Sequence, residues 1–112
     1  MTTPQPRFII FVFLRALPAW LSLSHAQRNE IGSAALTQAL TDETVTLRHF
    51  DAEAFTGFCS DVSVFEATDL MAFYFVMERL RDSPLFATPY FEVIQIVPAI
   101  EDGFRHFEAV QD

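Results

Sequence analysis

Arg48-His49-Phe50-Asp51-Ala52-Glu53-Ala54-Phe55-Thr56-Gly57-Phe58-Cys59-Ser60-Asp61-Val62-Ser63-Val64-Phe65-Glu66-Ala67 reads as two short strands joined by a turn around Thr56-Gly57. The first strand begins slightly upstream, because Val45–Asp51 alternates as a half-buried strand does, and Asp61–Glu66 returns antiparallel to it. This central hairpin decides the fold, because on each side of it lies a helix and then a strand.

Upstream, Thr41-Asp42-Glu43 is a polar break, preceded by a helix from about Ser24 to Leu40. Ser24 and Gln27 have the spacing of a capping box, and Ile31, Ala35 and Ala39 with Leu36 and Leu40 form the apolar stripe. Gly32 weakens that helix slightly. Pro18–Leu21 is an entry turn, and Phe8–Leu14 is apolar on both faces, the mark of a central strand. Residues 1–6, with Pro4 and Pro6, form a loose lead-in. Downstream, Thr68 or Asp69 caps a helix from Leu70 to Arg81, with Leu70, Phe73, Tyr74, Met77 and Leu80 on one face. Asp82-Ser83-Pro84 stops it, Phe91–Val97 is the last strand with Pro98 ending it, and 101–112 is a tail with Phe104 and Phe107 at helical spacing.

The order β-α-β-β-α-β predicts an α+β, ferredoxin-like domain spanning residues 1–112, with helices on one face of a four-stranded antiparallel sheet. Strands apolar on both faces leave the other sheet face too apolar for water. The expected solution is a homodimer of facing sheets, a dimeric α/β barrel enclosing a cavity.

Hydrophobic residues make up 51% of the chain and Phe alone supplies 13, which excludes disorder and leaves rings to line a cavity. Residues 1–50 carry four Arg against Glu30, Asp42 and Glu43, a balance of +1, while residues 51–112 carry three Arg against twelve acids, a balance of −9. The net charge is −8 with no basic stripe, so neither nucleic acid nor an anionic membrane is an expected partner. No Lys is present, which removes Schiff-base chemistry. A single cysteine, Cys59, suits a reducing compartment. Arg7, Phe8–Leu14 and Ser24-His25-Ala26 imitate a signal peptide, but Arg15 interrupts the apolar run and its removal would delete the best strand. The expectation is cytoplasmic.

Several runs resemble the darcynin family: Leu17-Pro18-Ala19-Trp20-Leu21, Arg48–Phe55, Cys59-Ser60-Asp61-Val62, Phe65-Glu66 with Asp69-Leu70, Leu80-Arg81-Asp82 with Pro84, and Tyr90–Phe104. The resemblance covers nearly the whole chain and implies the dimeric α/β-barrel group; it implies no reaction.

His49, Asp51 and Glu53 are spaced by two, so an unbroken strand aims them at one face, where they can act as a base with its orienting carboxylate or hold a divalent ion. Glu66 and Glu92 lie in apolar strands; aimed into a barrel, such a carboxylate is raised by desolvation toward the range of a general base, and the bland alternative is pairing with Arg48 or Arg15. Arg15 and Arg48 can anchor an anionic oxygen. Cys59 has no neighbour that lowers its pKa. The catalytic candidates are therefore Glu66, His49, Arg48 and Asp51, and the ligand-lining candidates Trp20, Tyr74, Phe11, Phe13, Phe65 and Glu92. Glu66 or His49 would be the base, and Arg48 or Tyr74 would stabilise the oxyanion. No metal or other cofactor is expected, and no haem-ligand signature is visible, although a lone His can serve. The functional expectation is a small hydrophobic or aromatic ligand undergoing cofactor-free proton transfer next to a carbonyl, as in cyclisation, isomerisation or substrate-assisted oxygenation. The alternatives are a binding or sensing module without chemistry, and a purely structural dimer.

Overall fold

Phe8–Ala16 forms β1, and the strand with two apolar faces has a partner on each side: β3 (Asp61–Ala67) and β4 (Phe91–Ile100), both antiparallel to it. With β2 (Val45–Asp51) outside β3, the sheet runs β2-β3-β1-β4. The computed structural model describes residues 6–111, so the lead-in expected over 1–6 lies, apart from Pro6, outside the described residues. The fold is the expected ferredoxin-like one, with the helices α2 (His25–Ala39) and α3 (Leu70–Arg81) packed on one face of the sheet. The apolar run that imitates a signal peptide is one of the sheet's two central strands. No helix among the described residues is long and apolar enough to cross a membrane.

Alternation sorts each strand between two faces. Ile10, Val12 and Leu14 of β1, Phe65 and Ala67 of β3 and Val45 of β2 turn toward the helices and are buried. Phe65 meets Phe73 of α3 edge-on, with ring centroids 5.2 Å apart. Ile9, Phe11, Phe13, Val62 and Val64 point to the open face and are half-buried. Helix α2 starts as its sequence dictates: the Ser24 hydroxyl accepts from the Gln27 amide at 3.1 Å, and the Gln27 side chain accepts from the Ser24 amide at 2.9 Å. At its other end, Arg79 Nε of α3 donates to the Ala39 carbonyl at 2.9 Å, so one helix satisfies the last turn of its neighbour.

Four details depart from the expectations. Pro18–Leu21 is a helical turn, α1, and Pro84–Ala87 is a second one, α4, both with Pro in the first turn, where its missing N–H costs nothing. Helix α3 buries Ala72, Phe73, Val76, Met77 and Leu80, so Leu70 and Tyr74, expected inside, are 40% and 50% exposed. Strand β4 continues through Pro98 to Ile100; as an edge strand it has one side without a ladder partner, where a residue lacking an N–H is tolerated. The tail is a helix, α5 (Gly103–Gln111), entered through Asp102 at φ 50.

Candidate functional site

His49, on β2, has its side chain on the helix-facing side, because Val45 and Leu47, four and two residues earlier, face the core. Register places Ser63 directly opposite His49, and Asp61 opposite Asp51. His49 Nε2 donates to Asp61 Oδ2 at 2.8 Å, and Nδ1 lies 2.8 Å from Ser63 Oγ. The Ser60 hydroxyl donates to the other Asp61 oxygen, Oδ1, at 2.6 Å. Both ring nitrogens of His49 and both oxygens of Asp61 are thus engaged. Asp61 and Ser63 are 9% and 6% exposed, so this polar line lies under the helices, while the His49 side chain remains 43% exposed.

The hydrogen bond to Asp61 raises the His49 pKa above its ordinary 6.5, outweighing the opposing effect of burial, and the negative charges of Asp61, Asp51 and Glu53 add to it. Burial alone would raise Asp61, but the hydrogen bonds from His49 and Ser60 and the charge of His49 bring it below its ordinary value. Burial, followed by the hydrogen bond shared with Asp61, raises Asp51. Asp61 is therefore the carboxylate of the pair that keeps its charge, and Asp51 the one that takes a proton first.

His49 and Ser63 lie in the wall of a cavity of about 280 Å³ between the sheet and the helices. Trp20 and Phe65 of the expected ligand set are also in that wall. The α2 side is formed by Arg28, Asn29, Gly32, Ser33 and Leu36, a stripe of helical spacing. A Cβ built on Gly32 would have nothing within 4 Å, so this glycine opens room that a side chain would fill.

The other expected residues sit elsewhere. Arg48 is on the opposite face of β2, with its guanidinium carbon 5.2 Å from the Phe50 ring centroid, and Tyr74 is on the outward side of α3. They do not converge with His49, because consecutive strand residues point to opposite faces and α3 turns Tyr74 away from the sheet. Glu66 faces the open side and pairs with Arg7 at 3.1 Å; Glu92 pairs with Arg15 at 3.5 Å. Both glutamates thus sit in ion pairs, Glu66 with an Arg that the sequence did not single out for it. Phe11 and Phe13 also face the open side, where Phe13 meets Phe58 of the hairpin loop at 5.4 Å and Arg15 holds the Phe58 carbonyl at 2.8 Å. The cavity therefore lies on the opposite side of the sheet from the one expected between two facing sheets.

The expected trio of His49, Asp51 and Glu53 becomes His49, Asp51 and Asp61, whose ligand atoms lie within 4.8 Å of one another. Strand β2 ends at Asp51, so Glu53 falls in the turn and the neighbouring strand supplies the second carboxylate. One imidazole and two carboxylates are a donor set that suits a divalent cation. Ser63 and the α2 residues escaped the sequence reading. The available signal was Asp61 and Ser63 two apart on β3, in phase with the apolar Phe65, and Arg28, Gly32 and Leu36 four apart on α2.

Among solved structures, the chain is similar to a haem-binding protein from Thermus thermophilus, with a TM-score of 0.78 at 15% identity over 96% of this chain and 46% of that one. It is also similar to a putative chlorite dismutase, with a TM-score of 0.73 at 20% identity over 89% of this chain and 46% of that one. At such identities the likeness is one of fold, and the chain spans a little under half the length of these proteins. In sequence it is 55% identical to a darcynin of Chromobacterium violaceum over 65 residues, 58% of this chain and 82% of the relative. The family model described as "Darcynin, domain of unknown function" matches residues 1–110, and the chain belongs to the darcynin family.

Proposed function

We propose that the chain binds a small hydrophobic or aromatic molecule in the helix-side cavity and moves a proton on it through His49. The observation that carries this reading is the placement of one imidazole in the cavity wall with a charged, buried carboxylate 2.8 Å from its Nε2. Asp61 accepts the Nε2 proton, which leaves Nδ1 as the basic nitrogen of the neutral ring. Nδ1 then accepts from the Ser63 hydroxyl, and after protonation it donates back to the same oxygen. Ser63 thereby serves either protonation state of His49, and its buried position on the cavity wall lets it pass a proton between ring and ligand. The hydrogen bond to Asp61 raises the His49 pKa and strengthens it as a base, the property a general base needs. A proton taken from carbon next to a carbonyl fits this arrangement, with apolar walls excluding water.

Glu66, the other base candidate, is tied to Arg7 on the open face, and this favours His49. The open face supports the second part of the proposal, a homodimer of facing sheets in a reducing, cytoplasmic setting, consistent with the buried, unpaired Cys59. The related folds have chains about twice as long, and a second copy of this chain would supply as much polypeptide.

The haem named for one structural relative does not fit this cavity as it is arranged. Both nitrogens of His49 are bonded, and no other His lines the cavity. At about 280 Å³ the space also falls just below the usual range of ligand pockets, roughly 300–1,000 Å³, which suits only a small molecule.

The test is hydrogen–deuterium exchange at carbon, followed by NMR, for a panel of small aryl ketones in deuterated buffer. The wild type is expected to accelerate exchange, with a loss of about a hundredfold or more in His49→Gln, a loss in the cavity-filling Gly32→Leu, and no change in Glu66→Gln. Binding of these ketones without exchange would leave a binding module and overturn the catalytic part.

A further inference from the structure

We infer that the ligand is an apolar anion, a small molecule with an aromatic or aliphatic body and one carboxylate, and that Arg28 receives the carboxylate. This rests on the reading of the helix-side cavity as a ligand site and adds the charge of its occupant.

Arg28 lies on the first turns of α2 and is half-buried at the cavity wall. Its Nε donates to the Trp20 carbonyl at 3.1 Å and its Nη2 to the Leu21 carbonyl at 2.9 Å. These bonds hold the guanidinium in place before any ligand arrives. They use two of the five N–H donors that an arginine carries, and the remaining donors have no protein partner among the described residues. Neither bond neutralises the charge, since both acceptors are carbonyls, and the ion pairs among the described residues involve Arg7, Arg15 and His49.

The charge of the cavity wall differs in sign from that of the chain. The molecule carries −8 overall, yet Arg28 is the one permanently charged residue in the lining, and the other ionisable group there, His49, is already paired with Asp61. Asp61 and Asp51 are not in the lining. A half-buried, prepositioned guanidinium without a counter-ion is best satisfied by a planar oxyanion, to which it offers fork geometry. The rest of the wall, with Trp20, Phe65, Met77 and Phe91, suits an apolar body. A molecule held by its carboxylate at Arg28 then presents the other end of its body to the rest of the cavity, where His49 and Ser63 stand.

Trp20 is the only tryptophan and lies in the same wall, so its fluorescence reports occupancy directly. The experiment titrates benzoate and phenylacetate against their neutral counterparts benzamide and phenylacetamide. In the wild type the acids are expected to bind roughly ten- to a hundredfold more tightly than the amides, the range of a charge-assisted hydrogen-bonded contact. In Arg28→Met the acid and amide affinities should converge while the amide affinity holds, which also reports that the variant is folded. Arg28→Lys should restore part of the preference. Amides binding as tightly as acids in the wild type would overturn the inference and leave the ligand cavity standing. An unchanged preference in Arg28→Met would do the same. No response from any of the four, with Gly32→Leu indistinguishable from wild type, would overturn the cavity reading and this inference with it.

Discussion

Asp61 shows how a single residue takes its role from the strand beside it. Its pKa is lowered and that of His49 is raised, so the charged pair exists between the two titrations. The raised His49 contributes stability that is present below its unfolded value near 6.5 and is lost as pH rises through its folded value. The lowered Asp61 contributes stability that is present above its ordinary 3.8 and is lost as pH falls through its folded value. The advantage of wild type over Asp61→Asn should therefore be greatest between the ordinary values of 3.8 and 6.5, at about pH 5, and shrink as pH rises through the raised folded value of His49, as urea denaturation at several pH values would show. With the His49 side chain 43% exposed, the pH-dependent part should stay within about 1 kcal/mol. In an NMR titration, Asp61→Asn should bring the His49 pKa down; an unchanged value would remove Asp61 as its cause. The sequence made His49 and Asp51 legible as neighbours, because two strand residues apart means one face. It hid Asp61 and Ser63, because the partner across a hairpin depends on register, and the nine residues between β2 and β3 do not state it.

Among the elements, α3 marks where pattern reading stops. Leu70-Met71-Ala72-Phe73-Tyr74-Phe75-Val76-Met77 is apolar without interruption, so the helix is legible and its inward face is not. Packing on the sheet selects Phe73, Val76, Met77 and Leu80 and leaves Met71, Tyr74 and Phe75 half or more exposed. Met77→Ala should therefore cost about 2–5 kcal/mol, and Tyr74→Ala no more than about 0.5 kcal/mol, in equilibrium urea unfolding. Equal losses would mean that the outward face of α3 is covered in solution. By contrast β1 was legible from Phe8 to Leu14, because seven consecutive apolar residues mark a strand flanked on both sides in its sheet; its last two residues, Arg15 and Ala16, fall outside that apolar run. Strand β4 was read short because proline usually ends a strand; its edge position is a property of the sheet and not of its own sequence.

At the scale of the whole molecule, two apolar regions lack a cover among the described residues. On the open face Phe50 and Val97 are 43% and 37% exposed beside the half-buried Phe11, Phe13 and Val64. Helix α5 leaves Phe104, Phe107 and Val110 between 56% and 82% exposed, on a molecule measuring 56 × 30 × 18 Å. If a second copy covers the open face, light scattering should give twice 12.8 kDa for the wild type and 12.8 kDa for Phe11→Glu, with unfolding of the variant still cooperative. A wild-type monomer at micromolar concentration would refute the facing-sheet assembly.

That assembly and the candidate site are independent of each other, because the cavity is lined by the helix-facing side of the sheet and by the helices of one chain, not by the open face where a second copy would sit. If the proposed ligand binds there, the expected stoichiometry is one ligand per chain, not one per pair. Paired chains should fill as identical, uncoupled sites, giving a hyperbolic isotherm with a Hill coefficient of about 1. The dissociation constant should stay the same as the protein is diluted through its own association midpoint.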